Sequence, residues 1–372
     1  MSIATHTSEA PRIPLASFPY GPFRVLRTLG EGGYGKAVAV EDIPSNRLMC
    51  IKVFQKDDLK HKSTGESILK ELGAYKRLAS AMPCPATQFL MGLELSFQTK
   101  LEICFAMDLM ANDLCHLMIS RSSYCFQHAF RWTVQIALGI NALHEIGIIH
   151  RDIKAENILI DVRENVRIAD FGLSYMAVDA RPLNRQGTYS TNVVGTPYCM
   201  APEIVYNISK PGSTTYGPPV DWWALGCIIF QLMSHKHKAR FASSFAAILL
   251  IQFFQALFET ERHTLLYAAW CRVPNRTHKE FPIFKGFPPN LGDLISGLMD
   301  PRPSSRYGFR EVSEHEILKW EFVDAYSRAL ERSEVPESLP DLRCGQKTAR
   351  VWQRLAPWEH PRVPNVDWFK PV

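Results

Sequence analysis

"IGIIHRDIKAENILID", residues 146–161, is the stretch that decides how this chain reads. Asp152, Lys154 and Asn157 crowd onto a few positions between two apolar runs. Short apolar runs bounded by turn residues read as buried strands. Polar groups concentrated between buried strands mark a loop that a rigid scaffold aims. Just downstream, "NVRIADFGLS" brings a second strand-like run that ends at Asp170. Carboxylate and carboxamide oxygens are the donors Mg²⁺ takes, with substrate phosphates completing its shell. Asn157 and Asp170 supply that pair, which leaves Asp152 to accept a hydroxyl proton.

Upstream, "LGEGGYGKAVAV" carries G-x-G-x-x-G at Gly30, Gly32 and Gly35. A dinucleotide fingerprint needs a helix after the glycines. Here the β-forming residues 37–40 follow, so a hairpin whose backbone N–H groups approach phosphates is the competing reading. Lys52 sits inside the apolar run "CIKVF", where a charge needs a partner. Glu71, on the helical stripe of "GESILKELGAYKRLAS", is the expected partner; Glu66, nearer the helix start, is the rival.

The texture changes along the chain. Residues 1–22 read as a flexible leader. Residues 23–110 are mostly strand-like with one helix, and 111–322 mostly helical. Residues 323–372 are Pro- and Trp-rich and read as an irregular tail packed through Trp352, Trp358 and Trp368. The most apolar run, residues 245–258, falls short of the roughly 20 residues a membrane span needs and reads as a buried helix. The fold class expected is α+β, a small β-rich lobe followed by a larger helical one.

Composition narrows the function. The 372 residues carry 42 Lys+Arg against 37 Asp+Glu, a net charge of +5. That excess argues for neither nucleic acid nor a membrane as partner. Nine Cys without a CxxC pair fit reduced thiols in an intracellular protein of cytoplasm or nucleus.

The ordered set of Gly-rich loop, strand Lys, helix Glu, "HRDIKAEN", "ADFG" and "APE" resembles a eukaryotic protein kinase of the Ser/Thr type, over residues 23–322. The N-terminal part and "DWWALG" are most similar to the AGC group. The resemblance implies a bilobal kinase fold with ATP and Mg²⁺ as cofactors and Ser/Thr-bearing proteins as substrates. It implies that Gly30, Glu31, Gly32, Gly33 and Gly35 cover the ATP phosphates. Lys52 would hold the α- and β-phosphates and pair with Glu71. Asp152 would be the base, Lys154 would neutralise the transferring phosphate, and Asn157 and Asp170 would bind the metal. Met107 would be the gatekeeper, with the backbones of Asp108 and Met110 on adenine, Asp113 near the ribose and Leu159 on the pocket floor. Glu203 would pair with Arg306, and Asp221 would brace the HRD backbone. Tyr75, Leu93, His150 and Phe171 would form one packed column. A pseudokinase, binding nucleotide or acting as a scaffold, is the alternative function; Lys52, Asp152 and Asp170 are all kept, which argues against it.

Departures are visible. Ala37, Cys50 and Ala155 replace the usual Val, Ala and Pro. Residues 234–284 do not match the usual substrate-docking segment. In "DARPLNRQGTYSTNVVGTPYCMAPE" the position where many AGC-like kinases carry a phosphorylated Thr is Asn192. Thr191, one residue away, is the expected regulatory site, with Ser190 and Thr188 close behind and Arg151 as the group a phosphate would meet.

Overall fold

Alternation at period two runs through the N-terminal strands and decides which face is buried. Val38, Val40, Met49, Ile51, Val53, Leu95, Phe97, Cys104 and Ala106 each fall below 3% exposure and, with Phe23, form one apolar cluster. The computed structural model describes residues 22–32, 35–60, 62–81, 84–241, 261–274, 276–330 and 367–369. Strands β1 (Phe23–Gly32), β2 (Gly35–Asp42), β3 (Arg47–Gln55), β4 (Leu95–Gln98) and β5 (Glu102–Asp108) form an antiparallel sheet in the order β1-β2-β3-β5-β4. The glycine turn joins β1 directly to β2, with Gly32 opposite Gly35. No helix follows it, so the dinucleotide alternative is lost. Gly35 has φ +127°, and a Cβ there would lie 2.3 Å from the Val53 carbonyl oxygen. Only glycine fits.

The chain packs as two compact units. One contains residues 1–58, 93–109 and 341–371; the other contains 59–92 and 110–340. The sequence reading placed helix α1 (Lys62–Ser80) with the strands, in 23–110, but it groups with the second unit. Its bonds explain why: Ser67 Oγ donates to the Gly172 carbonyl at 3.0 Å, and Arg77 Nη2 to that of Ala177 at 2.7 Å.

The second unit is built on helices α2 (Leu114–Ser120), α3 (Ser122–Glu145), α4 (Pro202–Ser209) and α5 (Pro219–Phe241). Helix α3 is buried on nearly every face from Trp132 to Leu143, because α5 packs along it. Short strands β6 (Asn112–Asp113), β8 (Ile158–Ile160) and β9 (Val166–Ile168) form one small sheet, and β7 (Ile148–Ile149) pairs with β10 (Tyr175–Met176).

Two expectations about the C-terminal part need correction. Helix Lys319–Leu330 runs across the boundary set at 322. Strand β11 (Asp367–Phe369) lies within the segment read as irregular and pairs antiparallel with β4, Trp368 opposite Phe97. An edge strand offers unpaired N–H and C=O groups that such an addition satisfies. The helix expected at 245–258, Trp352 and Trp358 lie outside the described residues.

Candidate active site

Arg151 and Asp170 have φ of +68° and +67°, conformations that residues with a Cβ rarely adopt. Each costs about 1–3 kcal/mol and persists only where the surroundings enforce it. At Arg151 the enforcing group is Asp221, in the first turn of α5 and 1% exposed. Its carboxylate accepts the amides of His150 at 2.9 Å and Arg151 at 2.8 Å, and His144 Nε2 at 2.9 Å. Burial opposes ionisation of Asp221, but the hydrogen bonds from His144 and the Arg151 amide, with the electrostatic influence of the two neighbouring imidazoles, outweigh it and hold the carboxyl below its usual range. The brace expected of Asp221 is therefore present. His150 accepts from the Asp152 amide through Nδ1 at 3.3 Å, and its Nε2 lies 3.1 Å from the Ala169 carbonyl. That pattern assigns the proton to Nε2. Its ring packs 5.4 Å from Phe171, which packs 5.3 Å from Tyr75. These are three members of the expected column; Leu93 belongs to the other unit.

The hairpin of β8 and β9 decides what faces Asp152. Its register sets Ile158 opposite Ile168, and the Ala169 amide donates to the Asn157 carbonyl at 2.9 Å. Asn157 and Asp170 thus leave the hairpin side by side, though they are far apart in sequence. Asn157 Nδ2 donates to Asp152 Oδ2 at 3.1 Å and to its carbonyl at 2.9 Å. Lys154 Nζ lies 2.9 Å from Asp152 Oδ2 and donates to Thr196 Oγ1 at 2.8 Å. Thr196 Oγ1 donates to Asp152 Oδ1 at 2.6 Å. Burial pulls the Lys154 ammonium down, but Asp152, Glu156 and Asp170 outweigh it and raise its pKa. Lys154 therefore stays charged beside a carboxylate that is 6% exposed. Among the described residues no cluster of three or more His, Cys, Asp or Glu could hold a metal. A pair of hard oxygen donors without a full cage suits Mg²⁺ that arrives on a phosphate.

Thr196 and the activation segment show what sequence reasoning missed. Thr196, in "GTPYCMAPE", was given no place among the site residues, yet it bonds both Asp152 and Lys154. The expectation that Thr191 is the regulatory site stays open, but Thr191 is not the residue that meets Arg151 here. Its side chain is exposed, and its carbonyl is held by Asn207 Nδ2 at 3.0 Å. Ser190 is the residue on Arg151, with Nη1 donating to its Oγ at 3.1 Å. Glu203 pairs with Arg306 as expected, through bonds of 2.6 and 2.9 Å. Glu71 is 2% exposed on α1, and the position a Cβ would take on Gly172 lies 3.8 Å from its Oε2. Glu66 is exposed.

The remaining residues are placed as follows. In the first unit, Gly30 and Glu31 lie in β1, opposite Ala37 and Lys36. Gly32 ends that strand, and Gly33 lies outside the described residues. Lys52 lies in β3 between Ala37 and Phe105 of the flanking strands. Met107 is 6% exposed opposite Cys50, whose thiol burial pushes up to about 11. Asp108 pairs with Arg47 through its side chain. In the second unit, Met110 directly precedes the Ala111 amide that donates to Ile160. Asp113 is the N-cap of α2, accepting from the His116 amide at 2.8 Å. Leu159 lies opposite Asp113 in the small sheet.

The protein kinase domain family matches residues 23–318. The chain is 29% identical over 238 residues to protein kinase C of Aspergillus fumigatus, covering 64% of this chain and 20% of that protein. It is 32% identical over 218 residues to a protein kinase C-like protein of Hypocrea jecorina, covering 59% and 18%. It is 31% identical over 221 residues to rhodopsin kinase GRK7 of Bos taurus, covering 59% and 37%. The match therefore spans well under half the length of each relative.

Proposed function

This chain belongs to the protein kinase domain family, and we propose that it transfers the γ-phosphate of ATP to Ser and Thr hydroxyls of proteins. The observation that carries the reading is the bonded set of Asp152, Lys154, Asn157 and Thr196. Phosphoryl transfer relies on positioning and charge neutralisation rather than covalent catalysis. Asp152, aimed by Asn157 and Thr196, orients the acceptor hydroxyl and takes its proton. Lys154 places a fixed positive charge where the transferring group accumulates negative charge. Asn157 and Asp170 would hold Mg²⁺, which supplies charge neutralisation at the β- and γ-phosphates. Backbone N–H groups of the glycine turn, at Gly30, Glu31, Gly32, Gly33 and Gly35, cover the phosphates. Lys52 would grip the α- and β-phosphates, the role that the kinase resemblance gives it together with Glu71. Met107, Asp108, Met110 and Leu159 line the adenine, and Asp113 serves the ribose from its cap position.

Relatives named protein kinase C and rhodopsin kinase support the same reading and the AGC likeness. Among the described residues no helix is long and apolar enough to cross a membrane. The eight cysteines among them are free thiols, which fits an intracellular site. The test is purified protein with labelled ATP, Mg²⁺ and a degenerate Ser/Thr peptide library. Transfer to Ser or Thr, lost in Asp152→Asn, is the expected result. ATP binding without any transfer would establish the pseudokinase instead.

A further inference from the structure

The activation segment meets Arg151 through neutral oxygens, and one side chain organises them. Arg151 Nε donates to the Leu173 carbonyl at 2.7 Å and Nη2 to the Ser174 carbonyl at 3.0 Å. Nη1 donates to Ser190 Oγ at 3.1 Å and to the Tyr216 hydroxyl oxygen at 3.2 Å. The same hydroxyl donates onward to the Asn192 carbonyl at 2.6 Å. Tyr216 is 2% exposed and lies just ahead of α5, the helix that carries Asp221. Its backbone also bridges the segment: the Ser190 amide donates to the Tyr216 carbonyl at 3.2 Å, and the Tyr216 amide to the Ser190 carbonyl at 2.9 Å. Every guanidinium nitrogen of Arg151 therefore has an acceptor, and none of these acceptors is an anion. Beyond Asn192 the chain closes on the catalytic loop. Gly195 has φ +113°, and a Cβ there would lie 2.5 Å from the Arg151 carbonyl oxygen. Thr196 then reaches Asp152.

We propose that Tyr216 is a positioning residue: its hydroxyl ties Arg151 to the Asn192 carbonyl and sets the segment so that Thr196 meets Asp152 with Ser190 and Thr191 unmodified. The idea rests on the kinase reading above. It differs from a control in which a phosphate must supply the anion for Arg151. A buried phenol that both accepts and donates leaves two groups unpaired when it is deleted, the Arg151 Nη1 contact and the Asn192 carbonyl. Asn207 holds the neighbouring Thr191 carbonyl and otherwise bonds Ser213 and Thr214, so it cannot replace the link to Arg151.

The experiment compares wild type, Tyr216→Phe and Thr191→Ala, all as full chains. Each is treated with a broad phosphatase, and mass spectrometry confirms a phosphate-free activation segment. Tyr216→Phe keeps the ring and its packing. We expect its kcat/KM for a Ser/Thr peptide to fall about tenfold, the scale of one buried hydrogen-bond pair, while KM for ATP stays within about twofold of wild type. Amide hydrogen exchange in residues 189–196 should speed up, with exchange in α3 unchanged. Phosphate-free wild type and Thr191→Ala should turn over alike. Three results would overturn the proposal: unchanged exchange at 189–196 in Tyr216→Phe, peptide kcat/KM within twofold of wild type, or phosphate-free wild type that gains activity only on phosphorylation at Ser190 or Thr191. If wild type transfers no phosphate at all, the kinase reading fails, and the exchange measurement alone still decides whether Tyr216 holds the segment.

Discussion

The catalytic loop and the activation segment are both irregular backbone, but they are held in different ways. Arg151, Asp152, Ile153, Ala155 and Asn157 of the catalytic loop are all buried. Their backbone hangs on a buried carboxylate, Asp221, and on the register of the β8–β9 hairpin. In the activation segment Thr188, Thr191, Asn192 and Val193 are exposed, and the carbonyls of Thr191 and Asn192 are anchored by the neutral groups of Asn207 and Tyr216. A buried charge that satisfies backbone donors is costly to remove, because the donors and the strained Arg151 lose their partner together. Neutral bonds near solvent are each worth about 1 kcal/mol and are lost locally. The difference teaches that the loop holding the reacting groups is built into the fold, whereas the segment beside it is set by a few separable contacts.

The comparison breaks most severely at Asp221. Asp221→Ala should lower stability by about 3 kcal/mol or more, the cost of orphaning buried partners, with activity lost throughout; chemical denaturation measures it. A loss below about 1 kcal/mol would mean that the hairpin alone holds the loop. Next comes Asp152→Asn, which should cut transfer at least about a hundredfold, the scale of a positioned base. ATP binding and melting temperature should stay near wild type. Thr196→Ala should cost about tenfold, since it removes one of three groups aiming Asp152; steady-state kinetics with a Ser/Thr peptide reads this. A Thr196→Ser variant should recover most of that loss.

The smallest effect lies in the scaffold behind the catalytic loop. His128 of α3 pairs with Glu164 in the turn between β8 and β9 at 3.2 Å. Glu164 raises the pKa of His128 above its usual 6.5, and His128 lowers that of Glu164 below its usual 4.5. A raised histidine contributes fully below 6.5, and that contribution fades as pH rises through its folded value. A lowered carboxyl contributes above 4.5, and that contribution fades as pH falls through its folded value. The pair should therefore add most between those two values, by up to about 1 kcal/mol. His128→Gln should flatten the stability profile there, and a profile identical to wild type would remove the pair as a support.

Much of this site was readable one residue at a time. The hairpin rather than a helix after the glycines followed from the β-formers behind Gly35. Glu71 was preferred over Glu66 because a carboxylate near the helix start already has the dipole to explain it, and Glu71 is the buried one of the two. Asp221 was expected at the catalytic loop only through the family resemblance, and His144 and Tyr216 were not assigned to it. Tyr216 lies 65 residues beyond Arg151, and no local pattern links them. Thr196 was not singled out as a site residue, because nothing local to "GTP" shows that it bonds Asp152 and Lys154. Which of Ser190 and Thr191 meets Arg151 could not be read by counting positions, and it is Ser190 that does.

What the sequence determined by itself was the α+β class and the order of motifs that nominates the reacting groups. Those follow from residue chemistry and from periodicities of two and 3.6 that are local in the chain. Only the tertiary structure decided that helix α1 packs with the second unit, that a strand at 367–369 joins the sheet, and that Ser190 rather than Thr191 meets Arg151. Each of these is a choice among long-range hydrogen-bond partners. Such choices are settled by which buried donors and acceptors remain unpaired once the strands and helices have packed, and no stretch of neighbouring residues carries that information.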